Sequence, residues 1–127
     1  MSRNMQTPLH KVQGLGPSHT GTGHFWHERL TSVALIPLTL WFGYTILGLT
    51  NASLVAAISF LAHPLNALLM AAFAIVSLYH IKLGLQVIID DYVHATGKKI
   101  FLLIVVRVAV FATGAACLFA LLRIASL

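Results

Sequence analysis

Three stretches of this chain are too long and too apolar to sit comfortably anywhere but in lipid. They run roughly from Leu30 to Leu49, from Pro64 to Ile89 and from Ile100 to Leu122. A helix rises about 1.5 Å per residue, so about 20 residues cross a hydrocarbon core of about 30 Å. Lipid offers the backbone no hydrogen-bond partners, so each stretch must satisfy its own N–H and C=O groups as a helix. The first carries no formal charge, the second only Lys82 and the third only Arg107. Composition agrees: 9% of the 127 residues are charged, against about 25% in a soluble domain. The expectation is an all-α membrane protein of three transmembrane helices (30–127), preceded by a polar arm (1–29).

The connections are short. Thr50 to Ser53 and His63-Pro64 bracket the first, leaving Leu54 to Ala62 as either a short interfacial helix or an extension of the second span. Asp91 to Lys99, with Gly97, forms the second. Pro37 lies inside the first span and predicts a bend there, because it removes a backbone donor.

Charge placement sets orientation. Arg3, Lys11 and Arg29 lie in the arm and Lys98 and Lys99 in the second connection, so five of the eight basic residues fall on one side. By the positive-inside rule that side is cytoplasmic, or the matrix side in a mitochondrion. The net charge of +5 is scattered along the chain, which excludes a nucleic-acid patch. The arm has no apolar run for a signal peptide. Its first 27 residues lack acids, as in a transit peptide, but Arg is sparse and Gly16-Pro17 would break a helix. Cys117 is the only cysteine, so the chain has no internal disulfide, no CxxCH haem attachment and no ligand set for an iron–sulfur cluster.

Ionisable groups within spans are expensive and mark function first. His80 stands ten residues before Asp90, about 15 Å below that interface. Two readings are open: an imidazole hydrogen-bonded to a neighbouring helix, or an axial haem ligand. No other histidine lies in a span, so paired histidine ligation needs a second chain. His80, Gly84, Val87 and Asp91 share one helix face, and Gly84 there admits a close neighbour, whether helix or flat macrocycle. Asp90-Asp91-Tyr92 reads either as a solvated helix end with a belt tyrosine or as a phenol and acid for a quinone carbonyl and its proton. Lys82 and Arg107 read as snorkelling cations or as partners for a propionate, a lipid phosphate or another subunit's acid. His27-Glu28 is no zinc-protease motif, because residue 31 is Thr. Gly14-Leu15-Gly16 and Gly21-Thr22-Gly23 open no βαβ unit. His10, His19, His63 and His94 read as surface residues.

The run His80-Ile81-Lys82-Leu83-Gly84-Leu85-Gln86 through Asp90-Asp91-Tyr92-Val93-His94 resembles the hydrophobic membrane anchor of succinate dehydrogenase. Gly21-Thr22-Gly23-His24-Phe25-Trp26 through Arg29-Leu30-Thr31 is similar to the start of the first span in one form of that family. With the three-span layout, the resemblance covers roughly residues 21–127. It implies His80 as one axial ligand of haem b, the other histidine lying on a partner cytochrome b subunit. It implies Tyr92, with Asp91, at a ubiquinone site beside the iron–sulfur subunit, and Arg29 near the quinone or haem propionates. His24 matches less well, since its spacing varies in the family, and Lys82 and Arg107 receive no role. FAD and the iron–sulfur clusters belong to the flavoprotein and iron–sulfur subunits, so this chain alone would not oxidise succinate. The rival readings are a fumarate reductase anchor using menaquinone, a small transporter or proton-conducting subunit built on Lys82, Asp90 and Arg107, and a plain anchor with His80 bonded only to protein. The expected location is a bacterial inner membrane.

Overall fold

The computed structural model describes residues 7–9 and 20–127. Arg3, Lys11, His10, His19 and the Gly14–Gly16 run lie outside the described residues. Four helices follow one another: α1 (Thr20–Leu49), α2 (Leu54–Ala62), α3 (Pro64–Tyr92) and α4 (Thr96–Ala125). Three are long and apolar enough to span a membrane, over Gly23–Leu49, Pro64–Tyr92 and Thr96–Ala125. The architecture is the expected all-α, multi-pass one.

Helix α1 begins ten residues before its apolar part, so the same rod carries polar first turns. It runs unbroken through Pro37. Helix α2 is a separate element, and the reason is local. Proline disfavours helical φ/ψ in the residue before it; His63 accordingly adopts an extended φ of −64° and ψ of 129°. Pro64 then takes the first position of α3, where its missing N–H costs nothing. At the other end of α2, the Ser53 hydroxyl accepts a hydrogen bond from the Ala56 N–H at 3.2 Å, as a capping serine does.

Helix α3 is central: it packs against both α1 and α4, while α2 touches α3 and α4. Phe42 of α1 stacks on Phe73 of α3 with centroids 4.4 Å apart. The α3–α4 hairpin is closed by an ion pair, Lys99 Nζ to Asp90 Oδ1 at 2.9 Å. Among the described residues only Leu83, Ile89 and Thr45 are buried. Three such helices have almost no core of their own, so their remaining faces must meet lipid or other subunits.

Candidate functional site

The antiparallel pairing of α1 with α3 sets the N-terminal third of α1 against the C-terminal half of α3. Two hydrogen bonds mark this seam. Tyr79 Oη lies 2.5 Å from His27 Nδ1, and Thr31 Oγ1 lies 2.8 Å from His80 Nδ1. His27 and Thr31 are one helical turn apart and therefore share the face of α1 that meets α3. Lys82, three residues past Tyr79, places its Nζ 5.3 Å from the centre of that ring.

His80 is half-buried and lies twelve residues from the end of α3, about 18 Å along the axis, against about 24 Å from its start. This is the middle of the span. Its Nδ1 is engaged by Thr31. Its Nε2 makes no hydrogen bond among the described residues, nor is it one of the enclosed unpartnered atoms, a condition found only at His24 Nε2. One turn on, nothing outside the local helix backbone comes within 4 Å of the position a Cβ on Gly84 would take. The helix face carrying His80 and Gly84 is thus open to a group from outside the chain.

The same face reaches the membrane surface at Asp91, eleven residues from His80 and about 20° off its direction on the helix. Asp91 and Tyr92 are both exposed, Tyr92 at 79%. They form no hydrogen bond with one another among the described residues. Asp90 points the other way, to Lys99. The three-residue cluster therefore divides into one structural acid and two outward-facing groups.

Arg29 lies two residues from Thr31, about 3 Å from its height but about 160° around α1. It lies over the Phe25 ring at 5.5 Å and lines a groove of about 250 Å³ with Phe25, Glu28 and Ser32. By height it belongs with His80 rather than with Tyr92, which stands about 15 Å further toward the surface. By direction it faces away from α3. Within this chain, then, His80, Arg29 and Tyr92 are not brought together. Each is presented separately on an outer surface.

Among the described residues, no three His, Cys, Asp or Glu side chains gather as a metal-ligand set. The span cations and the acid have separate surroundings among the described residues: Lys82 lies on Tyr79, Asp90 is paired with Lys99 and Arg107 is exposed.

Residues 3–115 match the family of succinate dehydrogenase/fumarate reductase transmembrane subunits. The chain belongs to this family. It is 33% identical over 93 residues to the succinate dehydrogenase hydrophobic membrane anchor subunit of Paracoccus denitrificans, covering 73% of this chain and 72% of that one. The protein of the same name from Rickettsia bellii is 30% identical over 107 residues, 84% of this chain and 86% of its own. The succinate dehydrogenase membrane anchor subunit of Reclinomonas americana is 25% identical over 92 residues, or 70% and 77%. No solved structure matches.

Sequence reasoning missed Thr31, His27 and Tyr79 as parts of the site. Thr31 is 49 residues from the histidine it contacts, and a threonine in an apolar run carries no pattern of its own. The available signal was the spacing of His24, His27, Glu28 and Thr31, which places one polar stripe along α1.

Proposed function

We propose that the chain is the membrane anchor of a succinate:ubiquinone oxidoreductase. It would dock the flavoprotein and iron–sulfur subunits, share a haem b with a partner cytochrome b subunit and form part of the ubiquinone-reduction site. Family membership supports the anchor role. The observation that carries the haem reading is the state of His80: mid-span, engaged at Nδ1 and open at Nε2. Histidines that bind metals characteristically use one nitrogen for the metal and engage the other in a hydrogen bond. The open face at Gly84 fits a flat group beside that nitrogen. A haem bound there would be held by His80 and by a histidine of the partner subunit, and would supply one-electron transfer.

Tyr92 and Asp91 are proposed for the quinone, with the phenol donating to a carbonyl and the acid supplying protons. Their exposure supports this, since a site shared with another subunit needs side chains that this chain does not cover. Arg29 is assigned to a haem propionate or the quinone, and its height beside His80 supports the propionate. The quinone station falls at the basic end of the molecule, which we assign to the cytoplasmic side of a bacterial inner membrane. That is also where the peripheral subunits would dock.

The family description names fumarate reductase as well, so an anchor working with menaquinone is the second reading. The curated relatives, all named for succinate dehydrogenase, favour the first. Gentle detergent purification tests both. The expected result is a four-subunit complex with a haem b spectrum that reduces ubiquinone with succinate. A complex without haem b, or one that passes electrons only with menaquinol and fumarate, would refute the proposal as stated.

A further inference from the structure

We infer that Thr31 is the positioning residue of the haem ligand: its hydroxyl fixes which nitrogen of His80 faces the iron and how basic that nitrogen is. This rests on the haem reading of His80 given above.

Thr31 Oγ1 has one hydrogen and lies near three groups, the carbonyls of His27 at 2.9 Å and Glu28 at 3.0 Å and His80 Nδ1 at 2.8 Å. A hydroxyl offers one donor and two acceptor lone pairs, and a carbonyl can only accept. All three contacts are satisfied in one way: the hydroxyl donates to its own helix, shared between the two carbonyls, and accepts from Nδ1–H. If the hydroxyl instead donated to Nδ1, both carbonyl contacts would be left without a hydrogen. His80 therefore carries its proton on Nδ1, and Nε2 keeps a free lone pair. That is the tautomer able to bind iron through Nε2.

The contact also sets direction. The back-bond to the preceding turn holds the Thr31 side chain in one orientation, and the imidazole is a rigid plane. Holding Nδ1 against α1 thus points Nε2 away from it. The bond joins α1 to α3, so the same contact fixes the height of the ligand. An N–H donated from the far nitrogen raises the basicity of a metal-bound imidazole, which favours ferric over ferrous iron.

The test uses the assembled complex carrying Thr31→Val, Thr31→Ala or Thr31→Ser, with His80→Leu as a control. Two quantities are read: the haem b midpoint potential by optical redox titration, and haem per complex after challenge with a haem-scavenging protein. Thr31→Val and Thr31→Ala should weaken haem retention about 10- to 100-fold. Both should raise the potential, a tenfold change in the reduction equilibrium being about 59 mV for one electron. Thr31→Ser, which keeps the hydroxyl, should give wild-type values.

A Thr31→Val complex with unchanged potential and retention overturns the inference. So does a Thr31→Ser complex shifted as far as Thr31→Val, because volume rather than the hydroxyl would then be responsible. Failure of Thr31→Ser to assemble along with Thr31→Val and Thr31→Ala makes Thr31 a packing residue and overturns it too. An unaltered haem in His80→Leu would instead remove the ligand assignment itself. A normal loss in His80→Leu with a silent Thr31→Val removes only the role of Thr31.

Discussion

Gly84 separates what the chain needs from what the complex needs. Outside its own stretch of helix, nothing in the described chain lies within 4 Å of its missing Cβ, so within this chain an alanine methyl there would meet no neighbour. Glycine in a helix interior costs about 0.8–1 kcal/mol relative to alanine, so Gly84→Ala should strengthen α3 by about that much. If the face belongs to haem or a partner helix, the same change is opposed from outside. Overpacking a fitted interface costs typically about 1–3 kcal/mol, or about 5- to 150-fold in an equilibrium at about 1.4 kcal/mol per tenfold. Leucine, one turn from His80, belongs at the upper end of that range. Gly114→Ala is the matched control: its Cβ would lie 3.5 Å from Leu78 Cδ1, an ordinary van der Waals contact on the α3–α4 seam. The assay is haem per complex and recovery of the partner subunits at equal amounts of this chain. Gly84→Leu should lose both while Gly114→Ala keeps both. A Gly84→Leu complex with full haem and normal subunit recovery would refute the placement of the cofactor and partner on this face.

Two further outcomes follow from the surface end of α3. Tyr92→Phe should depress succinate-driven quinone reduction while leaving succinate oxidation by artificial dyes largely intact; an equal loss of both would count against a quinone role. The Asp90–Lys99 pair is 43% and 36% exposed at its two side chains, so its coupling should be small, about 0.2–1 kcal/mol. A double-mutant cycle with Asp90→Asn and Lys99→Met on complex stability measures it. A coupling of about 3 kcal/mol would mean that another subunit buries the pair.

Most of the fold was legible in the chain because lipid leaves few options. Apolar length marked the three spans, but the residues left open whether Leu54–Ala62 was a separate helix or an extension of the second span, and the extended His63 before Pro64 decides it. The polar start of α1 was less legible: Thr20–Arg29 continues the helix without any apolar signal. At the site, His80, Gly84 and Asp91 share a helix face because a periodicity of 3.6 residues makes them do so. The partners of His80 and Tyr79 were hidden, since Thr31 and His27 arrive from another helix and their pairing depends on how α1 registers against α3. The division of Asp90 from Asp91 was equally invisible, because it turns on which residue faces Lys99.

His80 as a haem ligand is the central proposal for this chain. The direct measurement is the haem b content and reduced-minus-oxidised optical spectrum of the complex carrying His80→Leu, purified beside the wild type. Loss or displacement of the haem b signal, with the subunits still associated, is the expected result. An identical spectrum at full haem content would contradict it.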